Sequence, residues 1–141
     1  MSELNAKATL SDSGKGEQHW FLGTLATIKV PGEASDGRFA LIEFLFPRHA
    51  SPPLHMHPQD ESYIVLEGRL TVQAGEQRFE LVPGAAAVVP MGAAHTFRVD
   101  SDTATSAGAE YAGGARATCA RRLGTGVGAY TVAERDTATL A

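Results

Sequence analysis

The fold of this chain is most constrained by a series of short apolar or β-branched segments, each closed by glycine or proline. Turn signals such as Pro31-Gly32, Pro83-Gly84 and Pro90-Met91-Gly92 separate these segments. Short strands at this spacing, with no convincing amphipathic helix before residue 100, predict an all-β sandwich or barrel. The predicted strands are Trp20–Val30, Arg38–Phe46, Glu61–Leu66, Arg69–Gln73, Gln77–Val82, Ala85–Val89 and His95–Val99.

Composition argues against several classes of protein. The 141 residues are 43% hydrophobic and 20% charged, which is typical of one soluble globular domain. A net charge of -4 without a dense basic cluster argues against nucleic acid, and no apolar run approaches the roughly 18 residues of a membrane span. The single cysteine excludes an internal disulfide framework, and the polar N-terminus lacks the apolar core of a signal peptide, so a cytoplasmic location is expected.

The chain divides into three regions by composition. Residues 1–17 are polar and are predicted to be a flexible segment, and residues 18–100 are predicted to form the β-barrel domain. In residues 101–141, Ala, Gly and Thr supply more than half of the positions, and large aliphatic side chains are scarce. We therefore expect this tail to contribute no strand that packs against the core.

Three histidines and one glutamate fall where strand geometry can bring them together. His55 and His57 are two residues apart, so on an extended chain both point to the same face. Glu61 and His95 each open a predicted strand and have apolar residues at i+2 and i+4, which turns them toward an apolar interior. Since a bare carboxylate there is costly unless it is paired or bound to a metal, the four residues form a candidate metal site.

The chemistry of this candidate site follows from its donor atoms. Three imidazoles and one carboxylate supply N and O ligands that suit one divalent ion of Fe, Mn, Ni, Co, Cu or Zn. Four protein ligands on an octahedron leave two positions for a substrate, or for a substrate and dioxygen. Glu61 is also a candidate catalytic base, and Tyr63 on the same face is a candidate hydrogen-bond donor to a substrate. The alternatives are a polar cluster satisfied by hydrogen bonds alone and a core tyrosine with a satisfied hydroxyl.

These residues resemble the two motifs of the cupin family, in particular its compact, single-domain, quercetin-dioxygenase-like members. The first motif, Gly-x5-His-x-His-x3or4-Glu-x6-Gly, has His49 at its opening glycine and otherwise matches at His55, His57, Glu61 and Gly68. The second, Gly-x5-Pro-x-Gly-x2-His-x3-Asn, has Val99 at its final asparagine and otherwise matches at Gly84, Pro90, Gly92 and His95. The resemblance covers about residues 20–100 and implies a small β-barrel of the jelly-roll, or double-stranded β-helix, type.

The resemblance also implies a function. It points to a metal-dependent enzyme that binds a small organic substrate in the barrel, with dioxygenase-like chemistry on an enolic or phenolic substrate, or with polyketide cyclisation or isomerisation. The alternatives are a non-catalytic cupin that stores or senses a small molecule, and a dimerisation domain with a vestigial site. The enzyme is favoured over the sensor because sensing cupins are usually fused to a DNA-binding domain, which is not expected here.

The tail departs from the family pattern. Compact cupins usually continue after the last histidine strand with another apolar strand, and the resemblance stops near Asp102. The composition beyond it resembles the out-of-frame product of a GC-rich coding sequence. If the barrel lacks its closing strand, the exposed edge must be covered by a partner subunit, so we expect a homodimer.

Overall fold

The computed structural model describes residues 7–111 and 131–132, in which the regular elements are eleven β-strands and one 3₁₀ turn at Gly32–Ser35. The all-β prediction is therefore confirmed. The strands are β1 (Glu17–Phe21), β2 (Thr24–Val30), β3 (Phe39–Pro47), β4 (His55–Met56), β5 (Asp60–Glu67), β6 (Leu70–Ala74), β7 (Gln77–Leu81), β8 (Ala86–Val89), β9 (His95–Val99), β10 (Thr103–Tyr111) and β11 (Thr131–Val132).

The strands form two antiparallel sheets that share one core. The larger sheet has the order β1-β2-β3-β10-β5-β8, and the smaller sheet has the order β11-β4-β9-β6-β7. Both sheets supply side chains to one buried cluster, which includes Phe46, Val65, Val72 and Val99. Phe46 of the larger sheet also meets Phe97 of the smaller sheet edge-on, with ring centroids 4.9 Å apart. Two sheets that close over a common core in this way form a small β-barrel.

Strand β3 shows which side of the larger sheet faces this core. Its residues alternate between the two faces, so Ala40, Ile42 and Phe46 are buried while Leu41 and Leu45 are 36% and 45% exposed. The dense apolar run of residues 38–46 is long enough for one buried strand, but that interpretation is wrong because β3 is buried on one face only. Among the described residues β3 packs against the core on one face, and its apolar run continues onto the other face.

Residues 20–30, which were predicted as one strand, form a hairpin. Strands β1 and β2 are antiparallel, and Phe21 lies opposite Thr24 across a two-residue turn. Both turn residues have positive φ, 48° at Leu22 and 77° at Gly23. Positive φ at both positions is the backbone twist of a type I′ hairpin turn, and Gly23 is its signal in the sequence.

Strand β10 overturns the expectation that the tail contributes no strand. It pairs with β3 from Thr103 opposite Pro47 to Tyr111 opposite Phe39, and it pairs with β5 on its other side. Its inward side chains at residues 104 and 106 are buried although they are small. The barrel therefore has a strand where an open edge was expected. An open edge was the reason for predicting a homodimer, and it no longer supports that prediction. Residues 112–130 and 133–141 of the predicted tail lie outside the described residues.

Two positions of the first motif, His49 and Gly68, have a backbone with positive φ. Gly68 has φ +82°, and a Cβ there would collide with the carbonyl oxygen of Thr103 at the start of β10. His49 has φ +61°, and its N–H donates to the carbonyl oxygen of Val99 at 3.1 Å. This left-handed conformation explains the family's glycine at position 49, and a histidine there carries a steric cost of about 1 kcal/mol.

Replacing His49 with glycine should stabilise the protein by about 0.5–1 kcal/mol, because glycine adopts this φ without the steric penalty of a Cβ. The side chain of His49 is exposed, so the substitution loses little burial. Urea denaturation measures the free energy of unfolding. His49→Ala is the matched control, since it removes the imidazole but keeps the Cβ. An equal gain for both variants would assign the effect to the imidazole rather than to the backbone.

Candidate metal centre

Strand pairing brings the three predicted histidines together. His55 in β4 lies directly opposite His95 in β9, and His57 follows His55 by two residues. One ring nitrogen from each histidine lies within 4.8 Å of those of the other two, an arrangement that could hold a metal ion. His57 and His95 are 8% and 4% exposed, and His55 is half-buried. The predicted convergence of the histidines is therefore present in the fold.

Backbone carbonyls fix the orientation of all three imidazole rings. A carbonyl oxygen can only accept a hydrogen bond, so the Nδ1 atom that faces it must be the donor. In a neutral imidazole this leaves the lone pair on Nε2, which is the atom needed by a metal. The Nδ1 atoms of His55, His57 and His95 lie 2.7, 3.0 and 2.8 Å from the carbonyl oxygens of Pro53, Gln59 and Ala93.

Glu61 completes the cluster from strand β5. Its Oε2 atom lies 3.0 Å from Nε2 of His57 and 3.2 Å from Nε2 of His95. Because both rings already donate from Nδ1, a carboxylate this close to the two Nε2 atoms requires a cation, either added protons or a metal ion. An octahedral ion with ligands about 2.1 Å away has adjacent ligand atoms about 3.0 Å apart. The residues present therefore fit a bound divalent metal.

The electrostatics of the cluster favour a charged carboxylate. Burial acts to raise the pKa of Glu61, but His57 and His95, when protonated at Nε2, donate hydrogen bonds and supply positive charge that outweigh burial and lower that pKa to about 2. Burial is the main cause that lowers the pKa of His55 below its ordinary value. At neutral pH Glu61 is therefore ionised, and His55 is held in the neutral form that metals bind.

Tyr63 lies two residues after Glu61 on the inward side of β5. It is half-buried and packs against the core cluster. Burial, together with the nearby charge of Glu61, raises the pKa of its hydroxyl. The hydroxyl therefore stays protonated and remains a hydrogen-bond donor at any working pH.

Asp60 supports the site in a way that sequence reasoning missed. Its Oδ1 atom accepts a hydrogen bond from the N–H of Met91 at 2.9 Å, and the N–H of Gly92 donates to the carbonyl oxygen of His57 at 3.0 Å. These bonds fasten the turn before β9, and hence His95, to the segment that carries His57 and Glu61. No spacing in the sequence signals them, because they depend on where the turn after β8 meets the start of β5.

The sequence and the fold were compared with protein families and with solved structures. Residues 42–107 match the family model of the cupin domain. Among solved structures, a predicted oxalate decarboxylase from Thermotoga maritima has a TM-score of 0.67 at 13% identity, over 73% of this chain and 98% of that chain. Residues 42–107 are therefore a cupin domain. The polyketide cyclase RemF from Streptomyces resistomycificus has a TM-score of 0.57 at 22% identity, over 73% and 72% of the two chains. These likenesses confirm the jelly-roll fold.

A curated relative matches part of this cupin in sequence. Quercetin 2,3-dioxygenase of Bacillus subtilis (strain 168) is 30% identical over 90 residues, which are 63% of this chain and 27% of that enzyme. The cupin thus spans about a quarter of the length of this relative. The family match reaches residue 107, inside β10, so the departure from the family pattern begins later than Asp102.

Within the part of the chain that the structure describes, no helix has the length and apolar character needed to cross a membrane.

Metal affinity should fall by at least about tenfold between pH 7.5 and pH 5.5, because protons compete with the metal for the imidazole nitrogens of the ligands. Competition against a fluorescent chelator, with Zn²⁺ or Co²⁺, measures the affinity at each pH. Glu61→Gln should lower the affinity but leave its slope with pH unchanged, since a carboxyl group with a pKa of about 2 stays ionised over this range. An affinity of the unchanged protein that is flat with pH would contradict imidazole ligation.

Proposed function

We propose that this cupin is a metal-dependent enzyme that acts on a small organic molecule inside the barrel, by dioxygenase-like, cyclase or isomerase chemistry. The observation that carries the proposal is the set of three imidazoles whose Nδ1 atoms all face backbone carbonyls, with the Glu61 carboxylate against two of the Nε2 atoms. A polar cluster satisfied by hydrogen bonds alone does not need the same tautomer in all three rings.

His55, His57 and His95 would hold one divalent ion through Nε2, with Glu61 as the fourth ligand. When bound, such an ion supplies Lewis-acid polarisation of a substrate oxygen or a redox centre for dioxygen. Three nitrogen donors and one oxygen donor suit Fe, Mn, Ni, Co, Cu and Zn alike. The metal is therefore chosen by supply and by the remaining positions around it, rather than by these four side chains.

Two side chains of β5 would handle protons and orient the substrate. Glu61 would accept a proton from the substrate, and its basicity would rise once its contacts with the imidazoles loosen, because those contacts lower its pKa. Tyr63 would donate its O–H to a substrate oxygen, which its raised pKa favours. The two groups lie on the same inward side of the strand, so they would act on one bound molecule.

The relatives support an oxygen-rich substrate. Their names refer to quercetin, oxalate and polyketides, each of which carries several oxygen atoms that can approach a metal. The proposed substrate class for this cupin is accordingly an enolic or phenolic molecule.

The protein purified without chelators should contain close to one equivalent of divalent metal per chain, measured by inductively coupled plasma mass spectrometry. His95→Ala should reduce this content by at least about tenfold, since ligand loss from a four-ligand site removes much of the binding free energy. His19→Ala is the matched control, because His19 in β1 contacts Glu17 rather than the cluster. Stoichiometric metal in His95→Ala would rule out the proposed ligand set.

Turnover separates the enzyme from a non-catalytic binding cupin. Flavonol and catechol candidates are mixed anaerobically with the metal-loaded protein, and oxygen is then added while its uptake and the substrate absorbance are followed. Uptake or absorbance change that His95→Ala abolishes would support the enzyme. Saturable binding without turnover across the panel would support the binding module instead.

Tyr63→Phe should lower kcat by about tenfold with metal content unchanged, because it removes a hydrogen bond to a substrate oxygen without touching a ligand. The aromatic ring still fills its place against the core, so thermal stability should change little. Steady-state kinetics beside metal analysis make the measurement. A loss of metal, or an unchanged kcat with a lower melting temperature, would assign Tyr63 to the core alone.

A further inference from the structure

The inner face of β10 carries a buried hydroxyl group that the proposed function does not use. Ser106 lies directly opposite Phe44 of β3 and Val65 of β5. Val65 belongs to the core cluster, and Phe44 packs against it. Residues directly opposite each other in antiparallel strands share a face of the sheet. Ser106 therefore faces the barrel interior, where it is only 2% exposed.

The Ser106 hydroxyl makes no hydrogen bond to another described residue. Other hydroxyls that the fold covers do find partners: Ser35 Oγ donates to the carbonyl oxygen of Phe39 at 2.7 Å, and Thr96 Oγ1 donates to that of Pro52 at 2.6 Å. A buried hydroxyl without a hydrogen bond destabilises a fold unless another group pairs with it. The Ser106 hydroxyl is thus available to a polar group that enters the barrel.

The inner face between Ser106 and the candidate metal centre carries small residues on both sides of Tyr63. Tyr63 follows Glu61 on the inward side of β5. The residues directly opposite Tyr63 are Gly108 in β10 and Ala87 in β8. A hydrogen atom and a methyl group project little from the sheet. The inner face beside the Tyr63 ring is therefore free of bulky side chains on both neighbouring strands.

Two aromatic rings supply apolar walls from the two sheets. Phe44 and Phe97 pack against the core cluster but are only half-buried. Phe46 joins them: its ring centroid is 5.6 Å from that of Phe44, nearly parallel, and 4.9 Å from that of Phe97, edge-on. Aromatic rings contact other rings by offset stacking or by their edges. The uncovered parts of Phe44 and Phe97 can therefore contact a planar ring of a ligand.

Strand geometry sets the length of a ligand that reaches both ends of this face. Val65 lies four residues after Glu61, which is roughly 13 Å at about 3.3 Å per residue, and Ser106 is directly opposite Val65. A metal–oxygen bond of about 2 Å and a hydrogen bond of about 3 Å occupy the two ends. The terminal oxygen atoms of the ligand are then roughly 8 Å apart. One six-membered ring is too short for this separation, whereas two fused rings match it.

We propose that Ser106 is a substrate-binding residue, and that the substrate is a planar molecule of two fused or linked rings with an oxygen atom at each end. One oxygen would approach the candidate metal centre, and the other would form a hydrogen bond with the Ser106 hydroxyl. This inference rests on the proposed function, because it needs a substrate inside the barrel. It adds the length of the substrate and the polarity of its far end, which the four candidate ligands do not set.

The test compares two probes that bind the Zn²⁺-loaded protein in the absence of oxygen. One is a naphthalene catechol, with both hydroxyls on one ring, and the other is the same molecule with a third hydroxyl at the far end of the second ring. Isothermal titration calorimetry measures each dissociation constant. The unchanged protein should bind the three-hydroxyl probe about tenfold more tightly, because only that probe pairs with Ser106. Ser106→Ala should bind both probes equally.

The matched control is Ser62→Ala. Ser62 lies opposite Val88, which is 67% exposed, so this variant removes a hydroxyl from the other face of the same sheet. The tenfold preference for the three-hydroxyl probe should remain in Ser62→Ala. Ser106→Ala should also melt no lower than the unchanged protein, because an unpaired buried hydroxyl contributes no stability.

Three results would overturn the proposal. Equal affinity of the unchanged protein for the two probes, or binding of neither probe, would show that no far-end contact exists. A preference that persists in Ser106→Ala would place that contact at another residue. A lower melting temperature of Ser106→Ala, with equally weakened binding of both probes, would show that its hydroxyl supports the fold.

Failure of the proposed function gives a different result. The affinities are measured without oxygen and with Zn²⁺, so they do not depend on turnover. The expected preference, lost in Ser106→Ala, together with no oxygen uptake for any candidate substrate would make Ser106 a ligand-binding residue of a non-catalytic cupin.

Discussion

The rest of the barrel depends on the pairing of β10 with both β3 and β5. Strand β5 carries Glu61 and Tyr63. In the described strand order β10 lies between β5 and β3, so β10 joins β5 to strands β1–β3 of the larger sheet. The small residues of β10 suit this position. At Gly108 a Cβ would lie 3.0 Å from the carbonyl oxygen of Ser62, which is tighter than ordinary contact. The glycine and alanine residues of β10 are unusual for a strand, but a small residue at Gly108 allows β10 to lie close to β5.

The candidate metal centre rests on a balance of charge that the backbone imposes. Three carbonyl oxygens draw the ring protons to Nδ1, and strand pairing places the Nε2 atoms of His57 and His95 beside one carboxylate. Such a cluster of electron-rich atoms is unfavourable by itself and becomes favourable when a cation enters. The same interactions that lower the pKa of Glu61 also keep it a weak base. A cation held at Nε2 of His57 and His95, whether protons or a metal ion, would thus stabilise the charged form of Glu61.

The two sides of β5 serve different purposes. The inward side brings an ionised carboxylate and a protonated hydroxyl into the barrel, while the outward side carries Ile64, which is 39% exposed. A strand with this arrangement is constrained on both faces, because a shift of one residue in register would exchange the two sets of side chains. The register with β10 on one side and β8 on the other holds it in place.

The sequence by itself determined the all-β class, most strand positions and the candidate ligands His55, His57, Glu61 and His95, because side-chain alternation and turn residues are local signals. His55 and His57 share a face by parity alone, and Gly68 marks a turn that tolerates no Cβ. Tertiary structure alone decided that His95 lies opposite His55, that Asp60 fastens the turn before β9, and that His49 sits in a left-handed conformation. It also decided that residues 103–111 form a strand and that the apolar run of β3 divides between core and surface. These features depend on which strands become neighbours, and hydrogen bonds between distant backbone segments leave no period or spacing in the sequence.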